Sequence, residues 1–404
     1  MKTIVALPGE GIGFEVVDAT CEVLAGLGLP IEIQTPPQGA AALKSHGTAL
    51  PEETKRAARA ADGVLFGAAG PSSSPVVGWL RWEMSAWGGV RPIKFYAGMH
   101  SPLAHPDGID YVIIRENSEG LYPGREGDLT DLARALPDLG DKSGKKVKEY
   151  GDGAFAVKVV TPVGAERIAR FAAKLALKRK TQGKPGKVTC VTKSNVLPRT
   201  DGLFQATAER VVREMGGLAF EHFHVDDAAR RLVRFPQSMD VVLCMNLYAD
   251  ILSDLGAETA GGLGLAPSGN HGDGWAYFES VHGSAPDIAG RGIANPTATI
   301  RSAVLMLDTS DSPPRRNASM RRWRASIATE RCSRPTRAAR PARAIWRRPF
   351  SQPTATPESK APGFQLTSRA RHFPRPASVH AGGGESARCS TGFAPPRASR
   401  CPSP

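Results

Sequence analysis

Two carboxylates four residues apart, Asp250 and Asp254, stand in the run NLYADILSDLGAETAGGLGLAPSGN at residues 246–270, where apolar positions recur at helical spacing before a glycine-rich turn. On a helix both acids project from one face and repel each other by roughly a few tenths of a kcal/mol. Something cationic is therefore expected beside them. Carboxylate oxygens suit Mg²⁺ or Mn²⁺, and the absence of a nearby CxxC or HExxH argues against zinc. A solvated acidic helix face is the plain alternative. Arg81, Arg91 and Arg115 stand at strand or helix ends, and a guanidinium fork grips a carboxylate with two parallel hydrogen bonds. If they converge, the substrate carries more than one carboxylate; otherwise they are structural salt bridges. Tyr122, in RENSEGLY, is either a core or rim residue or a general acid whose pKa the arginines lower. Lys193, in the turn KSNVLPRTDG, is a surface lysine or, partly desolvated beside a cation, a base. His282, in ESVHGSAPDIAG, lies in a stretch too rich in glycine and proline to be core, which points to ligand contact.

These residues need elements to position them. KTIVAL at 2–7 reads as a buried strand, GEGIG as a loop, and FEVVDATCEVLAGL as a helix with Val16, Val17, Cys21 and Leu24 on one stripe. Phe14 stands where a GxGxxG fingerprint needs its third glycine, so a Rossmann nucleotide loop is disfavoured. The alternation continues through IEIQ, a helix at 51–60, GVLFGA, a helix around WLRWEM, and the strands VRPIKFY and DYVIIREN. Residues 123–153 form a polar, glycine-rich excursion. FAVKVVTP, KVTCVTK, LAFEHFHV and MDVVLCMN read as strands, with helices at ERIARFAAKLALKRK and from Asp201, Asp226 and the Asp250 run. Residues 261–293 read as one binding loop, and Pro296 starts a last helix. The pattern is α/β with a largely parallel or mixed sheet.

A chain of 404 residues with 41% hydrophobic content can bury a large core in about two domains. No apolar run approaches the ~20 residues that span a bilayer, and the N-terminus breaks into glycines too early for a signal peptide. A cytoplasmic protein is expected. Its six cysteines (21, 190, 244, 332, 389, 401) lack paired spacing, which fits reduced thiols. The net charge of +13 is confined to one end: residues 309–404 hold 19 of the 52 Lys+Arg and 4 of the 39 Asp+Glu, so they carry +15 and the rest −2.

LPGEGIG, LRWEM followed by VRP, RENSEGLY, TKSN, VDD, LYADILSD, GGLGLAPSGN, ESVHGSAPDIAG and IANPTATI occur in one order across residues 1 to about 308. Together this set resembles the isocitrate and isopropylmalate dehydrogenases, metal-dependent β-decarboxylating enzymes. The resemblance implies the family's own two-domain α/β fold, not a Rossmann fold. Residues 1–100 and 255–308 would form the larger, cofactor-binding domain, incomplete at its C-terminal end, and 101–254 the smaller one with dimer contacts. It implies that Arg81, Arg91 and Arg115 clamp the carboxylates of a 3-substituted malate, and that Asp226, Asp250 and Asp254 hold Mg²⁺ or Mn²⁺. Lys193 would take the hydroxyl proton and Tyr122 would reprotonate the enol. Lys193 and Asp226 would come from the neighbouring subunit of a homodimer. The cofactor would lie against Glu279, His282, Gly283, Asp287, Ile288 and Asn295. Asp287 and Ile288 stand where NADP-using members resemble Lys-Tyr, and a carboxylate there would repel a 2′-phosphate, so NAD is expected.

Three departures qualify the resemblance. Isocitrate members resemble Ser-x-Asn-x-x-x-Arg before the first arginine, where this chain has Pro75 and Val77; isopropylmalate members put leucines where it has Val77 and Gly78, followed by Trp79. The malate substituent is left open, with an apolar or small group favoured. Ala249 replaces the glycine usual before the first helix aspartate. Beyond Asp308 the motifs stop, yet residues 335–351, shifted by one reading frame, can spell a phrase that resembles the end of family members. Residues 309–404 are therefore expected to be an out-of-frame, disordered basic tail. The alternatives are an inactive frameshifted product, or a binding protein whose basic arm takes nucleic acid.

Overall fold

The computed structural model describes residues 1–309. The basic stretch from residue 310, Cys332, Cys389 and Cys401, and the out-of-frame reading all lie outside the described residues. Strand β1 (Lys2–Gly9), helix α1 (Gly13–Ala25), β2 (Ile31–Gln34), α2 (Gly39–His46), α3 (Glu52–Ala60) and β3 (Gly63–Ala68) open the chain. β1 pairs in parallel with β2 and β3, so it is flanked on both edges and reads as a continuous apolar run. On α1 the buried stripe is Val16, Val17, Thr20 and Leu24; Cys21, expected on it, is only half-buried. The α2 helix has no counterpart in the expected alternation.

The GEGIG loop explains its own glycines. Gly9 and Gly11 have φ of +78° and +57°, and a Cβ on either would collide with the carbonyl oxygen of Ala68 or Ser284. These glycines admit the protein's own backbone.

Helix α4 (Ser74–Gly78) runs into one π-helical turn, Trp79–Glu83, in place of the plain helix expected around WLRWEM. Next come β4 (Gly88–Lys94), β5 (Asp110–Glu116), β6 (Glu126–Asp128), α5 (Leu129–Ala135) and β7 (Ala154–Ala156). The 123–153 excursion is a two-stranded β6–β7 sheet with α5, which buries no residue. FAVKVVTP, expected to be a full strand, contributes only Phe155 and Ala156 to β7 and a single bridge from Val159 to Gly120.

Regular alternation returns with α6 (Pro162–Lys180), β8 (Lys187–Thr192), α7 (Thr200–Met215), β9 (Ala219–His224), α8 (Val225–Arg234), β10 (Val241–Cys244) and α9 (Asn246–Thr259). α6 starts where the Thr161 hydroxyl accepts the Gly164 N–H at 3.0 Å with Pro162 in the first turn, and ends in Lys178, Arg179 and Lys180. Residues 261–293 are not one loop. They contain the hairpin β11 (Pro267–His271) and β12 (Ala276–Ser280), buried at the centre of the sheet, before α10 (Thr297–Thr309).

Among the described residues ten strands form one mixed sheet in the order β2-β1-β3-β12-β11-β4-β5-β10-β8-β9. Parallel blocks at either end meet through the antiparallel pairs β12–β11, β11–β4 and β4–β5. Alternate residues of β5 face opposite cores. Val112 and Ile114 pack with the alanine stripe of α6 and with α7, while Tyr111 and Ile113 pack with α8 and α9. Helices on both faces thus bury β5 and β10. No described helix is long and apolar enough to cross a membrane.

Candidate active site

α9 begins two residues after β10, which sets Asn246, Asp250 and Ser253 on the face toward the end of β5. Arg115, the sixth residue of β5, donates from Nε at 2.9 Å and from Nη2 at 2.7 Å to the Asn246 side-chain oxygen, and from Nη1 to Asp250 Oδ1. Arg91, from β4, donates to the same Oδ1 at 3.1 Å and to Ser253 Oγ at 2.5 Å. Tyr122 donates its hydroxyl to Asp250 Oδ2, and the Arg115 guanidinium lies 4.8 Å from the centre of its ring. Arg81 leaves the π-helical turn and approaches Glu279 at 3.6 Å. The structure brings the three arginines, Tyr122 and Asp250 together, and the cation beside the paired acids is arginine.

Burial makes this arrangement costly. Arg115, Arg91 and Arg81 are 1%, 5% and 8% exposed. Burial first, then the neighbouring Arg91 and Arg81, pull the Arg115 pKa down to about 10. Asp250 answers them: burial raises its carboxyl, but Arg115 and Arg91 outweigh that and hold it below the ordinary aspartate value. Donors are still left over. Arg81 Nε, Arg91 Nε and Asn246 Nδ2 are buried without a hydrogen-bond partner. A buried arginine cluster with spare N–H groups is chemically suited to hydrogen-bond an anion.

One expectation is reversed. The arginines do not lower the Tyr122 pKa, because burial and the bond to Asp250 outweigh Arg115 and raise it. The phenol is held protonated, the state a proton donor needs.

Lys193 and Asp226 stand elsewhere. Lys193 follows β8, and its Nζ reaches Asp226 Oδ1 in the first turn of α8. That bond, first, lowers the Asp226 pKa. Among the described residues no three His, Cys, Asp or Glu side chains stand together as a metal cage. One chain thus supplies the expected trio in two parts, with Asp250 and Asp254 on α9 and Asp226 beside Lys193. The donor chemistry still fits a hard cation. Burial raises the Asp254 pKa, with Arg91 opposing and Asp250 adding to it, so a second positive charge would relieve it.

The expected cofactor residues divide as well. Glu279, on β12, is buried and accepts from Asn270 Nδ2 at 2.9 Å and the Tyr277 hydroxyl at 3.3 Å, which places it in the arginine cluster. His282 contacts the Gly283 carbonyl at 3.1 Å through Nδ1, while its buried Nε2 has no partner. Burial lowers its pKa and keeps the ring neutral. Asp287 and Ile288 lie in a 3₁₀ turn after Ala285, whose φ is +38°. Asn295 Oδ1 accepts the Thr297 N–H at 3.1 Å at the start of α10. The Ser284 carbonyl accepts the Ile12 N–H at 2.9 Å, and the Glu10 carboxylate accepts those of Ser72 and Ser73 at 3.0 and 3.3 Å. The 282–290 loop, GEGIG and the 70–73 turn are joined in this way.

Asn246 and Ser253 were missed as site residues. Asn246 lies one helical turn before Asp250, so the same i,i+4 spacing that singled out Asp254 points to it.

Comparison with known proteins gives the family. The family described as isocitrate/isopropylmalate dehydrogenase matches residues 3–318, ten residues beyond Asp308. The 3-isopropylmalate/3-methylmalate dehydrogenase of Methanocaldococcus jannaschii is 47% identical over 307 residues, covering 76% of this chain and 85% of that one. The isocitrate/homoisocitrate dehydrogenase of Thermus thermophilus is 41% identical over 312 residues, covering 76% and 84%. The crystal structure of isocitrate dehydrogenase from Methylococcus capsulatus superposes with a TM-score of 0.68 at 35% identity, covering 81% of this chain and 90% of that one. The chain belongs to the isocitrate/isopropylmalate dehydrogenase family, oxidoreductases that act on a CH–OH group.

Proposed function

We propose that this protein catalyses the NAD- and Mg²⁺- or Mn²⁺-dependent oxidative decarboxylation of a 3-substituted malate of the isopropylmalate or isocitrate type. The observation that carries the reading is the convergence of three buried arginines, two on Asp250 and one on Glu279, with N–H donors to spare. Arg81, Arg91 and Arg115 bind the malate carboxylates and fix the C2–H bond toward the nicotinamide. Lys193 takes the hydroxyl proton, and NAD, when bound, would accept the C2 hydride so that a ketone is left. The carboxylate on C3 then departs as CO₂, and its bonding electrons form an enolate. Tyr122, held protonated, returns a proton to C3. Asp226, Asp250 and Asp254 would hold a divalent ion, whose charge favours loss of the hydroxyl proton and stabilises the enolate.

Lys193 and Asp226 serve the neighbouring subunit's site in a cytoplasmic homodimer. Their separation from Tyr122 and Asp250 within one chain supports this. Glu279, His282, Gly283, Asp287, Ile288 and Asn295 receive the adenosine half of NAD, with neutral His282 offering its free ring nitrogen. Residues 1–100 with 255–308, and 101–254, are the two domains that close on the ligands. Partly buried Val77 beside Gly78 favours an apolar or small substituent over a third carboxylate. Relatives whose names specify 3-isopropylmalate, 3-methylmalate, isocitrate and homoisocitrate bracket the choice. The test is NADH formation with isopropylmalate, methylmalate, isocitrate, tartrate and malate, with and without Mn²⁺. Turnover of an alkylmalate is expected, and no turnover of any of these acids would overturn the reading.

A further inference from the structure

Asp201 is fully buried in the first turn of α7, yet its carboxylate serves more than its own helix. Four donors occupy it. The Lys193 backbone N–H reaches Oδ2 at 2.8 Å and the Tyr248 hydroxyl reaches it at 3.1 Å. The Lys158 ammonium and the Thr200 hydroxyl, the latter at 3.0 Å, occupy Oδ1. Two carboxylate oxygens offer about four acceptor positions, so none is spare. Lys158 also lies 3.4 Å from the Tyr248 hydroxyl and 4.9 Å from its ring centre.

The cluster ties together the segment before α6, the turn that carries Lys193, and α9, where Tyr248 precedes Asp250 by two residues. Lys193 is pinned from its other side too: its carbonyl accepts the N–H groups of Val196 and Leu197, both at 2.9 Å. Only its side chain is left to reach outward, toward Asp226. A buried ion pair contributes little net stability over an apolar pair of equal volume, so a fully satisfied one at this place fixes geometry rather than adding strength.

We propose that Asp201 is a positioning residue, holding the turn whose Lys193 side chain serves the neighbouring subunit's site in register with its own chain's α9 through Lys158 and Tyr248. The proposal rests on the reading of Lys193 as the base.

The test is a double-mutant cycle on the full chain, with melting temperature, kcat and KM measured per folded molecule. Asp201→Asn should lower kcat by about 100-fold, the cost of a base misplaced by about 1 Å, with little change in the KM for the malate. In a Lys193→Ala background the same substitution should leave the residual kcat unchanged while still lowering the melting temperature. Tyr248→Phe, which removes one hydroxyl and keeps the ring, should give a smaller kcat loss with the same dependence on Lys193, and stands in if Asp201→Asn does not fold. Parental kcat in both Asp201→Asn and Tyr248→Phe, beside an inactive Lys193→Ala, would overturn this proposal alone. So would equal fractional losses with and without Lys193, since that is a general structural effect. Full activity in Lys193→Ala would overturn the base assignment and this proposal with it.

Discussion

Strands β5 and β10 lie side by side in parallel, and at each end of the pair stands a buried arginine–carboxylate cluster. At the N-terminal ends Arg179 donates from Nε to Asp240 at 2.6 Å and from Nη2 to the Asp110 carbonyl at 2.8 Å. Asp240's second oxygen takes the Gly186 and Lys187 N–H groups at 2.8 and 3.0 Å, and Lys184 reaches Asp110 at 2.9 Å. One buried arginine meets two carboxylates there, and none of its donors is left over. At the C-terminal ends three buried arginines meet Asp250 and Glu279, and three buried N–H groups have nothing to bind. Desolvation is charged at both ends, but only the first is balanced from within the chain. The closed cluster sets where the strands begin, and the open one keeps buried donors without partners.

The two ends should respond oppositely to the same kind of substitution. Arg115→Met keeps most of the volume and removes a charge that its neighbours already disfavour. Steady-state kinetics should show kcat/KM lower by roughly a thousandfold, with a melting temperature close to that of the parent. Arg179→Met strands Asp240 and Asp110 without their cation. Denaturant unfolding should show a loss of about 3–5 kcal/mol, while kcat/KM of the remaining folded protein stays near the parental value. If Arg115→Met unfolds the protein or Arg179→Met spares it, the contrast between the ends fails.

A smaller effect separates the ends by pH. At the closed end burial raises the Asp110 carboxyl, but Lys184 and Arg179 outweigh it and leave the pKa lowered. Its stabilisation is complete above the usual aspartate pKa and is lost as pH falls through the lowered value, so Asp110→Asn should cost stability at pH 7. At the open end the Asp254 pKa is raised, mainly by burial. Its charge is a cost at neutral pH, so Asp254→Asn should raise the melting temperature of the metal-free protein at pH 7. That gain should shrink as pH falls through the raised value and be absent below the usual aspartate range. Thermal scans across the acid range read both signs.

How much of this is visible in the residues alone depends on how local its cause is. β1, β3, β5 and β10 are legible as apolar runs because each is covered on both faces, and α6 because its stripe and caps are local. β11 and β12 are hidden behind PSGN and the glycines around them. What makes them strands is pairing with β3 and β4, whose partner residues lie far away in the chain, Tyr277 with Val64 and Gly269 with Val90. The candidate site divides in the same way. Arg81, Arg91, Arg115, Asp250 and Asp254 stand out by type and spacing. The direction of the Tyr122 shift does not, because burial in the fold and then Asp250, 128 residues on, decide it. Asp201 reads as an ordinary first-turn acid until the fold brings Lys158 and Tyr248 to it.

The most direct test of the claim that the open end is the dehydrogenase site is Mn²⁺-dependent NADH formation by Asp250→Asn beside the parent protein. Asp250 is where Arg91, Arg115 and Tyr122 meet, and one of the carboxylates a hard cation would use. The account predicts that the parent reduces NAD with a 3-substituted malate only when Mn²⁺ is present, and that Asp250→Asn does not turn over and binds Mn²⁺ more weakly, with a modest change in melting temperature. Full turnover by Asp250→Asn, with an unchanged dependence on Mn²⁺, would contradict it.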